Sequence, residues 1–280
     1  MRTNKIHKVT LANSKLSSVS LVKIEKNLTF HAHSYTQIMF WVSGSPAFSN
    51  VEGIELTLNS NQGLIMNPWV AHDLQLKCPE HSCLILKINL HDELLMRYSE
   101  SLVAPYAFKT HTIPTDLLML SAIAELTRSI DSPQVNCKVL NRDLTQLLMN
   151  LNQVQGQPDC ADGCRRRRKM FDYRLRQTLD YMRAHIADHF TVDQLAKRVG
   201  MSRSRLFQLF HDEMNSTPFT VWNSLRMETA IQQLESMELP IGEIAESIGF
   251  TQAGNFSRFF HDRQGLSPRN YRIASQAVSN

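Results

Sequence analysis

The chain has 280 residues, 42% of them apolar and 20% charged, which is enough length and apolar content for two domains with separate cores and argues against a disordered chain. Its net charge of +4 is unevenly spread: residues 1–164 carry 13 Lys and Arg against 14 Asp and Glu, and residues 165–280 carry 17 against 12. A neutral half followed by a basic half suits a polyanion-binding module joined to something else.

The N-terminus has basic residues but no continuous apolar core, so no signal peptide is expected. The uncharged stretch over residues 30–51 is interrupted by His, Gln, Ser, Gly and Pro, so no membrane span is expected either. Five cysteines, Cys78, Cys83, Cys137, Cys160 and Cys164, form no paired CxxC motifs. A reduced, cytoplasmic protein is the expectation.

From Val9 to Ile88 short apolar segments alternate with turn residues, including Ile54, Leu56, Leu58 and Leu84, Leu86, Ile88. That is strand periodicity, and several such strands predict a small sandwich or barrel over about residues 8–90. The run from Ile38 to Val42 is apolar on both faces, as a strand enclosed on both sides would be.

Within this region His31-x-His33-x3-Gln37-x6-Gly44 and Gly63-x4-Pro68-x3-His72 resemble the two motifs of the cupin barrel. In metal-binding cupins two His, a Glu and a later His hold a divalent ion, and this chain has Gln37 at the position of the Glu. The loss of that anionic ligand argues against a hard dication. The expectation is therefore no metal cofactor and no catalysis, with His31, His33, Gln37, Trp41, Trp69 and His72 lining a polar and aromatic interior for a small-molecule effector. A metal-responsive regulator or a cupin-type metalloenzyme using His31, His33 and His72 is the competing expectation.

From about Leu90 the period lengthens to that of a helix, with one segment from Asp116 to Ile130 and another from Lys138 to Val154. In the second, Leu140, Leu144, Leu147, Leu151 and Val154 recur at spacings of 4, 3, 4 and 3, a two-heptad seam that predicts a homodimer contact. The same stripe would also serve for packing on the barrel. Residues 155–164 have too few apolar side chains to pack, and a basic run follows at 165–169. Residues 158–168 read as a linker between an N-terminal domain, 1–157, and a C-terminal domain, 169–280.

The C-terminal domain contains one pattern twice. Leu195, Ala196, Val199 and Gly200 correspond to Ile244, Ala245, Ile248 and Gly249 at a spacing of 49. Leu206, Phe210, His211, Asp212 and Pro218 correspond to Phe256, Phe260, His261, Asp262 and Pro268 at a spacing of 50. In each copy a short helix ends at a glycine that can take the left-handed conformation, and a second helix follows. Thr191 with Gln194 forms a capping-box start, and Ser202 and Thr251 are expected caps of the second helices. Helix, glycine turn and capped helix make a helix-turn-helix, present twice and joined by a helix from Pro218 to about Ser236.

Residues 171–272 resemble the two-unit DNA-binding domain of the AraC/XylS family, through the paired glycines, GlyPhe at 249/250, PheSerArgPhePhe at 256–260 and SerProArgAsnTyrArg at 267–272. The resemblance implies an α+β multidomain regulator: a cupin-like barrel with dimerisation helices that reads an effector, and an all-α domain that reads double-stranded DNA. Activation is favoured over repression, and RNA polymerase is a further candidate partner.

Helix facing turns Arg203, Ser204, Phe207 and Gln208 outward on the first recognition helix and Gln252, Ala253, Ser257 and Arg258 on the second. Gln208 can pair with adenine, Phe207 can meet a thymine methyl and Arg258 suits guanine. Ser202, Thr251, Arg269 and Arg272 are expected phosphate contacts.

Overall fold

The computed structural model describes residues 8–10, 17–78, 80–90, 108, 110–132, 135–155, 172–236 and 239–276. The expected linker, Cys160, Cys164 and the basic run at 165–169 lie outside them.

The strands are β1 (Lys8–Thr10), β2 (Ser17–Ile24), β3 (Leu28–His31), β4 (Thr36–Gly44), β5 (Ala47–Val51), β6 (Ile54–Leu58), β7 (Gln62–Met66), β8 (His72–Leu76), β9 (Cys83–Leu90) and β10 (Thr112–Pro114). They pair antiparallel into two sheets, one of six strands in the order β1-β2-β9-β4-β7-β10 and one of four in the order β3-β8-β5-β6. The expected barrel is thus two hydrogen-bonded sheets facing a shared interior. Glu52 and Gly53, with φ of 52° and 84°, make the two-residue turn between β5 and β6. Positive φ at both positions matches the right-handed twist of the flanking strands.

The double-sided burial of β4 has a specific cause. Met39 faces the interior shared with Leu58 and Leu74 of the small sheet, whereas Ile38 and Phe40 face helices on the outside. β9 divides in the same way, with Ile85 inward and Leu86 and Ile88 outward.

The outer helices are α1 (Leu117–Asp131), whose start is capped by Asp116 accepting from Met119 N at 2.8 Å, and α2 (Cys137–Gln155). Here the dimer expectation needs correction. Leu140, Leu144, Leu147 and Leu151 are at most 4% exposed and pack in one core with α1 and the outer face of the large sheet. A side chain already buried within its own chain cannot form the seam of a two-chain coil. The side chain of Val154 lies outside the described residues. The apolar side chains these helices do leave exposed include Leu117, Leu118, Leu120 and Met149.

Among the described residues seven helices follow: α3 (Tyr173–Ala184), α4 (Val192–Arg198), α5 (Arg203–Met214), α6 (Pro218–Ser236), α7 (Ile241–Ser247), α8 (Ala253–Gln264) and α9 (Pro268–Gln276). α3, α4, α5 and the first half of α6 enclose one core. The remainder of α6 with α7, α8 and α9 encloses the other, and that second core runs on without a break into the interior between the two sheets. The separate cores expected from chain length are therefore not both separate: α8 packs on β3 and α9 on β1. No helix is long and apolar enough to cross a membrane among the described residues.

Candidate functional site

Two helix-turn-helix units are built by local signals. At the start of α4, Thr191 Oγ1 accepts from Gln194 N at 3.2 Å while Gln194 Oε1 accepts from Thr191 N at 2.7 Å, a complete capping box. Gly200 closes the turn at φ +64°, and Ser202 Oγ accepts from Arg205 N at 3.2 Å to start α5. In the second unit Gly249 closes the turn at φ +82°. The expected cap at Thr251 is not formed, however: the N-cap is Gln252, with no side-chain hydrogen bond to the helix. The single residue inserted in the second copy shifts the helix start past the threonine.

The outward positions fall as helix facing predicts. Arg203, Ser204 and Gln208 are exposed on α5, Phe207 is half-buried, and on α8 Gln252, Ala253 and Arg258 are exposed with Ser257 half-buried. Arg203 Nη1 lies 3.2 Å from Asp193 Oδ2, and Gln208 Nε2 donates to Asp212 Oδ1 at 2.6 Å. Ser202, Thr251 and Arg269 are exposed at helix starts. Arg272 departs from the expected phosphate role: it is half-buried, and its Nε and Nη2 are shielded with no partner among the described residues.

Phe207 and Gln208 do not face open solvent alone. With His211 and Thr217 they line a cleft of about 410 Å³ whose opposite wall is Phe30, Glu52 and Ala71 of the β-domain. Glu52 Oε1 at the tip of the β5–β6 turn accepts from Asn215 Nδ2 at 2.7 Å, and Asn215 is the left-handed residue that ends α5.

The residue that sequence reading missed is Arg226, at the middle of α6. Its guanidinium stacks between the rings of Trp222, at 4.5 Å, and Phe250, at 4.3 Å, and its Nε donates to the carbonyl of Ile248 at 2.5 Å. It fastens the turn of the second unit to the helix that carries the first, and burial lowers its pKa to about 10. Trp222 lies one helical turn before Arg226, but Phe250 and the Ile248 carbonyl are more than twenty residues away, and that half of the clamp gives no local signal.

The histidine cluster lies where the β-domain meets α6 and α8. His31 and His72 are register partners across β3 and β8, and His33 sits just past the end of β3. All three are buried. The segment between them is stitched to α6: Ser224 Oγ donates to Ala32 O at 2.5 Å, and Glu228 Oε1 accepts from Ser34 N at 2.7 Å. Burial and the neighbouring His72 and His33 hold the His31 pKa well below its usual value, burial and His72 do so for His33, and burial lowers His72 to about 4.

Gln37 points inward from β4 and donates from Nε2 to Asn89 Oδ1 at 3.0 Å, and Asn89 donates in turn to Ser18 Oγ. Trp41 is half-buried against the shared interior. Trp69, expected to line that interior as well, instead packs into the core of the first helix-turn-helix unit beside Leu175, Phe210 and Trp222. Its main chain is left-handed, φ +66°, and its N–H donates to His33 O at 2.7 Å, which turns the indole away from the interior. His31 and His33 share with α6 and α8 a cavity of about 80 Å³, walled by Asn223, Met227, Arg263 and Gln264.

The family described as a helix-turn-helix domain matches residues 195–274. The probable transcriptional regulator LumQ of Photobacterium leiognathi is 23% identical over 265 residues, covering 92% of this chain and 98% of that one. The RCS-specific HTH-type transcriptional activator RclR of Escherichia coli is 37% identical over 83 residues, 30% of this chain and 29% of its own. Among solved structures, wild-type ToxT of Vibrio cholerae with bound unsaturated fatty acid superposes with a TM-score of 0.56 at 14% identity, covering 94% of this chain and 96% of that one. That likeness extends the shared fold through both halves of the molecule.

Proposed function

We propose that the chain is a DNA-binding transcription regulator of the AraC/XylS family, in which α5 and α8 read successive major-groove segments of one operator while the N-terminal domain receives a small-molecule effector; the match of residues 195–274 to the helix-turn-helix family and the likeness to LumQ along the chain support the reading. The observation that carries the reading is the pair of helix-turn-helix units fixed to one continuous helix, α6. Its 19 residues span about 28 Å, close to the roughly 34 Å between major-groove segments one turn apart. The shortfall is taken up by DNA bending or by tilt of the helices.

In this reading Arg203, Ser204, Phe207 and Gln208 on α5, and Gln252, Ala253, Ser257 and Arg258 on α8, face bases. Ser202, Thr251 and Arg269 hold phosphates. The functional division is residues 1–157 for sensing, 158–168 as linker and 169–280 for DNA. Activation is the favoured direction, in keeping with RclR, a transcriptional activator. The fatty acid held by ToxT supports a small-molecule effector for a chain of this fold. Its place here is the face where His31, His33 and Gln37 meet α6 and α8.

A duplex selected in vitro from a random pool tests the assignment. The wild-type chain should prefer the selected duplex over random DNA by about a thousandfold or more. Gln208→Ala and Arg258→Ala should each weaken binding by about 1–3 kcal/mol while circular dichroism stays unchanged. Equal affinity for all duplexes, governed by salt alone, or alanine variants that bind as well as the wild type, would overturn it.

A further inference from the structure

The three imidazoles of the buried cluster are oriented alike. Nδ1 of His31 lies 2.7 Å from Thr29 O, Nδ1 of His33 lies 2.7 Å from Tyr35 O, and Nδ1 of His72 lies 2.9 Å from Val70 O. A carbonyl oxygen only accepts, so each Nδ1 carries the ring proton and each Nε2 is left with its lone pair. Nε2 of His33 and of His72 is buried with no hydrogen-bond partner among the described residues. One nitrogen from each of the three rings lies within 4.8 Å of the others. Two buried lone pairs that meet no donor, on His33 and His72, beside a third imidazole within reach form an incomplete polar site, and a cation is a species that completes it.

We propose that His31, His33 and His72 bind a borderline divalent transition-metal ion, of the zinc, cobalt, nickel or copper class, through their Nε2 atoms. The donor set selects the class: three neutral nitrogens without a carboxylate suit these ions and disfavour magnesium and calcium, which need oxygen ligands. The geometry fits as well. Metal–nitrogen bonds of about 2.0–2.1 Å in a tetrahedral arrangement place ring centres roughly 5 Å apart, and the observed separations are 4.5, 5.0 and 6.1 Å. The carbonyls on Nδ1 are the outer partners that fix the tautomer of a ligating histidine. Burial keeps the rings neutral at physiological pH, so no proton must leave before an ion enters.

Two cationic side chains, Lys87 and Arg263, act on the rings, Asp73 acts on His72, and no Asp or Glu is among the three donors of the cluster. A dication seated there therefore takes an anion, hydroxide or a small carboxylate, at the fourth position that three histidines leave open. The site also lies under the two helices that flank the second helix-turn-helix turn: α6 holds the residues on either side of His33, Ala32 through Ser224 and Ser34 through Glu228, and Arg263 and Gln264 of α8 wall the same cavity. Occupancy is thereby coupled to the seat of α8. That coupling rests on the regulator reading above, and the metal site itself does not.

The test uses the full chain purified without chelators. Zinc is titrated against a chromophoric competitor, and copper(II) is added for electron paramagnetic resonance. The expected result is one zinc per chain, bound at least tenfold more weakly by His33→Ala and by His72→Gln, with copper hyperfine structure from imidazole nitrogens in the wild type. The resonance measurement needs no variant and stands even if a substitution unfolds the chain. Zinc affinity unchanged in both folded variants, or a copper spectrum without nitrogen coupling, overturns the site. Affinity for the selected duplex, measured in the same preparations with and without zinc, reports separately on the DNA reading. A duplex affinity that does not respond to zinc overturns the coupling alone.

Discussion

Lys87 of β9 donates from Nζ to Oε1 of Gln264, the last residue of α8, at 2.7 Å, and both side chains are buried. A strand in the interior of the β-domain is thus bonded to the end of the second recognition helix, 177 positions later in the chain. Beside it Thr29 Oγ1 donates to Asp262 O at 3.3 Å. The end of α8 is held by polar groups of the β-domain, so a change inside that domain reaches the helix through a bond rather than through general packing.

Burial lowers the Lys87 pKa to about 8 from 10.5. The unfolded chain keeps that proton up to about pH 10.5 while the folded chain releases it above 8. Stability contributed by this group therefore rises with pH across that interval and is lost as pH falls through 8. The stability of the wild type relative to Lys87→Met should increase between about pH 7 and pH 9.5, by up to about 2 kcal/mol. Urea unfolding of both proteins at the two pH values measures it, and a pH-independent difference would contradict a buried, charged Lys87.

The two turn glycines differ in what surrounds them. A Cβ on Gly200 would meet nothing within 4 Å, whereas one on Gly249 would lie 2.4 Å from Ala187 O and 2.8 Å from Arg226 Nη2. Both positions have positive φ, so Gly200→Ala should cost about 1–2 kcal/mol from backbone strain alone. Gly249→Ala adds a clash with main chain and should exceed it by about 2 kcal/mol or more. Thermal melting of the two variants checks the order.

Arg226→Met keeps most of the apolar stem between Trp222 and Phe250 but leaves Ile248 O without its donor. A loss of about 1–3 kcal/mol is expected. Because Arg226 ties the second unit to α6, affinity for the selected duplex should fall further than stability accounts for. Duplex binding measured well below the melting temperature separates the two effects.

The Glu52–Asn215 bond holds the β5–β6 turn against the end of α5, across the cleft lined by Phe207 and Gln208. Glu52→Ala should open that face and strengthen duplex binding by about threefold, the scale of one surface hydrogen bond. Glu52→Gln keeps an acceptor for Asn215 and removes the charge. If Glu52→Gln strengthens binding as much as Glu52→Ala does, the effect is loss of electrostatic repulsion of phosphate rather than release of the turn.

Local chemistry made much of this molecule legible from its residues. The 49- and 50-residue correspondences, the Thr191–Gln194 box, the Ser202 cap and the outward set from Arg203 to Gln208 all rest on neighbours within one or two helical turns. Their structural outcome follows from short-range hydrogen bonding and helical periodicity. The Leu140 to Leu151 stripe shows where that logic stops. A spacing of 4, 3, 4 specifies an apolar face but not what covers it, and here the cover is α1 and the large sheet of the same chain. Trp69 likewise has a residue type that fits an interior, and only its left-handed main chain and the adjacent helices place it in the first helix-turn-helix core.

By itself the sequence determined the two helix-turn-helix units, the alternation of strands and the presence of three histidines with a glutamine in place of a carboxylate. Tertiary structure decided that the second unit shares a core with the β-domain, that Arg226 locks the two units, and that His31, His33 and His72 come together as one buried cluster. The reason is distance along the chain: each of these depends on residues tens to hundreds of positions apart, which only the packing of α6 and α8 on the sheets brings together.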